Sequence, residues 1–214
     1  MYIVYTVDDV RRALQIPDFD AQAAQAKMMP GVRPRQRPDN LNGQARLGGV
    51  LALLYCANDT LTVVLTRRRD DLNSHAGQIS FPGGRKEAAE TLLTTALRET
   101  EEEIGILPTQ VEVLGPLASL YIPPSDYEVH PFVAWSLAGK RPSFSASKDE
   151  VAEILEVPLR KLMHPATRIE APWDFRGHEV IIPYYAVGEH KVWGATAMML
   201  SELFERLRAV SAHI

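Results

Sequence analysis

Two dense apolar runs, Gly48 to Cys56 and Leu61 to Thr66, stand either side of the turn-like Ala57, Asn58 and Asp59. Short runs of this kind bounded by turn formers predict a β-hairpin entering the core. Further strands are predicted over Val111 to Leu117, Leu120 to Ile122, Glu128 to Trp135, Ile154 to Val157 and Glu179 to Val187. Pro131 falls inside one of them and calls for an edge or a bulge there. Pro123, Pro124, Ser125 and Asp126 form a loop able to line a cleft.

The period changes from about Ala88, where Leu93, Leu97, Thr100 and Ile104 recur at steps of three and four and Gly105 supplies a stop. That predicts a helix with one core-facing stripe. A shorter helix is predicted within residues 1–16, where Thr6 and Asp9 are spaced like a capping box and Val7, Val10 and Leu14 share a side. Another starts at Pro158. The closing stretch turns through His190 to Trp193 into an amphipathic helix with Met198, Met199, Leu203 and Leu207 on its apolar stripe. Between Ile16 and about Gln44 the chain is polar and rich in Pro and Ala. Arg33, Arg35 and Arg37 are interleaved there with Pro34 and Pro38, which reads as a linker or arm. The division expected is 1–45, helix and arm, and 46–214, the main domain.

Composition narrows the class without choosing a function. A chain of 214 residues that is 46% hydrophobic can bury one sizeable core. A net charge near −4 leaves no general footprint for nucleic acid or an anionic membrane. One cysteine, Cys56, excludes an intramolecular disulfide and reads as a buried small hydrophobe. No signal peptide or membrane span is legible, so a cytoplasmic protein with a small-molecule substrate is expected.

The candidate chemistry lies between Phe81 and Ile106. Gly83 and Gly84 follow Pro82 and mark a loop where the backbone can bend or approach a ligand closely. At roughly 100° per residue, Glu99, Glu102 and Glu103 fall on an arc away from Leu93, Leu97 and Ile104. Like charges at these spacings repel by about 0.2–0.5 kcal/mol per pair, and anions at a helix C-terminus oppose its dipole. A solvated acidic face tolerates this. A hard divalent cation would reverse its sign, since Mg²⁺ takes carboxylate oxygens and keeps waters for substrate phosphates.

Spacing favours the cation. Gly84, Glu90, Arg98, Glu99, Glu102, Glu103, Gly105 and Ile106 stand at the intervals of Gly-x5-Glu-x7-Arg-Glu-U-x-Glu-Glu-x-Gly-U. This resembles the signature of the Nudix hydrolases, with Thr100 the single departure, at an apolar position. Upstream, Leu65, Thr66, Arg68, Gly77, Phe81, Pro82, Gly83 and Gly84 resemble the pattern of the coenzyme A pyrophosphatase subgroup. Arg69 stands there where a small residue is expected and Asn73 where an Arg is. Trp193, Gly194, Thr196 and Ala197 match a later motif of the same subgroup.

The resemblance implies an α/β Nudix fold, a mixed sheet sandwiched between helices. It implies hydrolysis of the diphosphate of coenzyme A or acyl-coenzyme A with Mg²⁺ or Mn²⁺. Another nucleoside diphosphate-linked substrate such as ADP-ribose is the alternative, or a non-catalytic nucleotide-binding module. In this reading Glu99, Glu102 and Glu103 bind metal, one of the latter two also orienting or deprotonating water. Arg98 holds a glutamate in place and Glu90 assists. Substrate contacts are expected from Arg67, Arg68, Arg69, His75, Gly77, Gly83 and Gly84. Among Asp149, Glu150 and Glu153, Glu150 ranks first as a further carboxylate outside the box. A homodimer follows from family habit alone.

Overall fold

The computed structural model describes residues 4–31, 37–38, 41, 43–71, 77–175 and 177–211. Arg33, Arg35, Asn73 and His75 lie outside them. In chain order the elements are α1 (Val7–Leu14), α2 (Ala21–Ala26), β1 (Arg46–Ala57), β2 (Thr60–Arg68), β3 (Ile79–Ser80), β4 (Gly83–Arg85) and α3 (Leu92–Ile104). There follow β5 (Val111–Pro116), β6 (Leu120–Ile122), β7 (Tyr127–Ser136), β8 (Val151–Pro158), α4 (Leu159–Leu162), β9 (Arg168–Phe175), β10 (His178–Val187), β11 (His190–Trp193) and α5 (Gly194–Ser211).

The expected hairpin forms from β1 and β2, turned by Asn58 and Asp59 at φ 47° and 56°. Asn and Asp tolerate the left-handed conformation that a tight hairpin turn demands. Around it grows an eight-stranded mixed sheet in the order β3-β2-β1-β7-β5, with β4 on β1, β6 on β7 and β8 on β2. The β1–β7 pair is parallel. Pro131 sits in β7 where its antiparallel partner changes from β6 to β5, so its missing N–H falls at a break in the ladder.

Alternate residues of the hairpin feed two cores, as the two-residue period requires. Leu51, Leu53, Tyr55 and Val64 pack under α3 with Ala96 and Ile104. Ala52, Leu54, Val63 and Leu65 pack on the other side with Leu200, Leu203 and Phe204 of α5. The sheet is thereby sandwiched between helices. Among the described residues no helix is long and apolar enough to cross a membrane.

Several local expectations change. The arm contains α2, capped by Asp20, and Ala24, Gln25 and Met28 are buried. Helix α3 begins at Leu92 rather than near Ala88, because Thr91 accepts the Thr94 N–H and caps it there. Strands β9 and β11 flank β10 in a separate three-stranded sheet. Cys56 is half-buried rather than buried.

Candidate active site

Helix α3 lies on β1 where Gly49 leaves room for it: a Cβ there would meet the Leu92 carbonyl oxygen at 2.2 Å. At its other end Gly105 takes φ 73° as a left-handed C-cap. The N–H groups of Ser145 and Ser147 donate to the carbonyls of Ile104 and Glu103, at 2.9 and 2.8 Å. The segment that satisfies the helix end thus leads directly to Glu150.

Arg98 organises one side of the helix. Its Nε donates to Glu90 at 2.6 Å, Nη1 to Glu102 at 2.9 Å and Nη2 to the Arg85 carbonyl at 3.3 Å, and Nη2 also lies 2.9 Å from Glu99. Glu90 precedes the helix and accepts from Thr95 and the Glu87 N–H. Arg98 chiefly holds its carboxyl down to about 2. The guanidinium itself is raised by the same contact with Glu90. Glu102 is mostly exposed.

Glu103 departs from the expectation that all three glutamates face away from the core. It is 5% exposed and lies in a stripe with Ala96, Thr100 and Ile104, whereas Leu93 and Leu97 are only half-buried. Thr66 of β2 donates to it at 3.1 Å. Burial raises its carboxyl to about 7; the hydrogen bonds from Thr66 and the Gly83 backbone oppose the rise, and the charges of Glu99 and Glu150 add to it. Burial likewise raises Glu99, with Arg98 opposing and Glu102 and Glu150 adding. Thr100, the departure from the apolar position, is buried and donates back to the Ala96 carbonyl at 2.7 Å.

Gly83 and Gly84, expected in a loop, instead form strand β4 against β1, where they serve close packing. A Cβ on Gly84 would lie 2.4 Å from the Glu99 carboxyl carbon, and one on Gly83, at φ 156°, 2.5 Å from the Gly49 carbonyl. The backbone of β4 is therefore the floor on which Glu99 rests.

The arginine run divides. Arg68 faces the α3 side with Thr66 and is 3.4 Å from Glu150. Arg67 faces the α5 side, bonded to Asp70 at 2.9 Å and 3.8 Å from Glu153. Arg69 is engaged by Asp71 and by the Lys148 carbonyl. Gly77, at φ 67°, lies against Asp70. Glu153, one of the three carboxylates considered outside the box, pairs with His190 at 3.1 Å on the α5 side. Sequence spacing gave no notice of the Thr66–Glu103 contact or of His190, Lys191 and Trp193 near Arg67, since both are tertiary.

A model of the NUDIX domain matches residues 46–177. The Nudix hydrolase NudL of Pectobacterium atrosepticum is 36% identical over 187 residues, covering 84% of this chain and 88% of its own length. That of Photorhabdus laumondii is 35% identical over 172 residues, covering 80% and 90%. A MutT/nudix family protein from Enterococcus faecalis superposes with a TM-score of 0.55 at 17% identity, covering 97% of this chain and 76% of that one, a likeness of fold. This chain belongs to the Nudix hydrolases, enzymes that generally use a divalent cation such as Mg²⁺ or Mn²⁺.

The carboxylates fit such an ion by their chemistry. Glu99 and Glu103 are hard oxygen donors, and each is raised by burial and by neighbouring carboxylates, so their ionised forms gain from a cation. Their arrangement is not a closed cage. Among the described residues no three acidic, histidine or cysteine side chains stand together as a metal-holding group. Arg98 draws Glu90, Glu99 and Glu102 to itself, and Glu103 turns to Thr66.

Proposed function

We propose that this chain hydrolyses the diphosphate bond of coenzyme A or an acyl-coenzyme A, releasing phosphopantetheine or its acyl form and 3′,5′-ADP. The observation that carries the reading is the hydrogen bond from Thr66 to Glu103. It joins the upstream segment that resembles the coenzyme A pyrophosphatases to the Nudix box, so the two motifs act on one set of carboxylates.

In this proposal Glu99, Glu102 and Glu103 hold Mg²⁺ or Mn²⁺, with Glu150 beside them. The bound cation supplies charge neutralisation at the diphosphate and lowers the pKa of water. Arg98 keeps Glu90, Glu99 and Glu102 in register. The hydroxyl of Thr66 fixes the orientation of Glu103 Oε2, and one of Glu102 and Glu103 also orients or deprotonates the attacking water. Arg68, on the same face, is suited to bidentate contact with a phosphate. Each arginine of the run already has a carboxylate partner, and the Arg68–Glu150 contact at 3.4 Å is longer than Arg67–Asp70 at 2.9 Å and Arg69–Asp71 at 2.6 Å, so Arg68 is the one most readily turned to a phosphate.

The test is product analysis after incubating the protein with coenzyme A and Mg²⁺ or Mn²⁺, with ADP-ribose in parallel. The expected product is 3′,5′-ADP, lost in Glu102→Gln. Cleavage of ADP-ribose alone would replace the substrate while keeping the chemistry. Cleavage of neither would favour a nucleotide-binding module.

A further inference from the structure

An open cleft of about 540 Å³ lies on the α5 side of β2, and its lining includes Arg67, Ile79, Glu153, Glu189, His190, Lys191 and Trp193. It is distinct from the glutamate site. Thr66 reaches Glu103 on one face of β2, whereas the next residue, Arg67, turns to the other face beside its register partner Glu153.

The lining selects among ligand chemistries. Its cations are matched by carboxylates: Arg67 contacts Asp70 and Glu153, and Glu153 also takes His190 Nε2 at 3.1 Å. A bare polyphosphate needs an excess of cation, which this cleft lacks. A lipid tail needs an apolar lining, and only Ile79 and Trp193 provide one. What suits fixed carboxylates beside an indole is a flat aromatic ring carrying hydroxyl and amino donors. The indole is well supported, with Trp173 edge-on at 5.0 Å. Lys191 is held over the rings of Trp173 and Tyr184, 5.2 Å from each. Its ammonium thus stays at the rim, beside one phosphate at most.

We propose that this cleft receives the nucleoside end of the substrate. The base lies against Trp193, the free 2′-hydroxyl of the ribose donates to Glu153 or Glu189, the 3′-phosphate lies toward Lys191 at the rim, and the diphosphate turns the end of β2 past Arg68 to reach the glutamates. This rests on the reading of the substrate as a nucleotide diphosphate, and it assigns specificity to the β10–β11 hairpin, outside the catalytic box.

The test uses metal-free protein, 3′,5′-ADP and pantetheine as separate probes, and the indole N–H resonances of the three tryptophans. The expected result is that 3′,5′-ADP shifts the Trp193 signal and pantetheine does not. Glu153→Gln and Trp193→Leu should each weaken 3′,5′-ADP binding roughly tenfold, the size of one lost stack or charged hydrogen bond. Lys191→Ala, at an exposed position, keeps the test decisive should Trp193→Leu fail to fold. No shift at Trp193, or binding indifferent to all three substitutions, overturns the cleft. Turnover of coenzyme A by the same wild-type preparation separates the two claims. Cleavage without 3′,5′-ADP at Trp193 sinks the cleft alone, and 3′,5′-ADP at Trp193 without cleavage sinks the substrate reading alone.

Discussion

The hydroxyl of Thr66 donates to Glu103 Oε2 across 3.1 Å, from near the end of β2 to the last turn of the helix above it. That bond and the Gly83 N–H hold a carboxylate that burial pushes up to about 7. An acid raised on folding costs stability as pH climbs from its ordinary 4.5 through the folded value. Without metal, Glu103→Gln should therefore match wild type near pH 4.5 and melt several degrees higher above pH 7, where up to about 3 kcal/mol is relieved. Mg²⁺ or Mn²⁺ should raise the wild-type melting temperature more than that of the variant. A variant less stable than wild type at pH 8 without metal would refute this account.

Arg98 serves three carboxylates with one fork. Glu102 is therefore compensated by an exposed i,i+4 pair rather than frustrated, and Glu102→Gln should change metal-free stability by less than about 1 kcal/mol. Arg98→Lys should cost more, about 1–3 kcal/mol by chemical denaturation, because an ammonium cannot repeat the geometry to Glu90, Glu99 and Glu102. Equal losses from the two substitutions would contradict the central role given to the guanidinium.

The acidic box was legible because its residues are close in sequence and their spacing is tied to the helical turn. The burial of Glu103 is not, because Leu93 and Leu97, the large apolar residues at the start of the expected stripe, are only half-buried, while Ala96, Thr100 and Ile104 are buried beside Glu103. The partner that makes burial tolerable, Thr66, is a tertiary contact. Arg67, Arg68 and Arg69 are expected together as substrate contacts, whereas successive residues of a strand face opposite ways, and Arg67 and Arg68 do so here. The missed elements have weak signals: α2 reads AQAAQA without a large apolar residue, β9 contains Pro172, and β11 has four residues. The hairpin and α5 were clear because large apolar residues repeat there at the period of the element.

Two glycines separate folding from chemistry. A Cβ on Gly49 meets the Leu92 carbonyl at 2.2 Å, backbone against backbone, while one on Gly84 meets only the carboxylate end of the Glu99 side chain, at 2.4 Å. Gly49→Ala should lose about 1–3 kcal/mol or more and melt well below wild type, since α3 must lift from β1. Gly84→Ala should fold with little loss yet turn over at least about tenfold more slowly, because displacing a positioned group by an ångström costs about that much or more. Parallel melting curves and initial rates check the pair. Equal rate losses at equal stability would mean that Gly84 does not act through Glu99.

Glu202 of α5 is fully buried, 3.0 Å from Arg206 and 2.9 Å from Gln25 Nε2, and accepts from the Ala118 N–H at 3.2 Å. It ties the arm and the β5–β6 connection to the closing helix. Glu202→Leu strands Arg206, which is itself 11% exposed, and should cost about 3–5 kcal/mol, the usual size for breaking a buried pair from one side. Replacing both, Glu202→Leu with Arg206→Met, should recover much of that loss, because neither charge then remains uncompensated. The residual cost reflects the Ala118 N–H, which loses its acceptor in either case, and Gln25, which keeps only the Ala118 carbonyl at 3.3 Å. Urea unfolding of the wild type, both single variants and the double variant closes the cycle. Additive losses would show that the pair is not what holds this corner together.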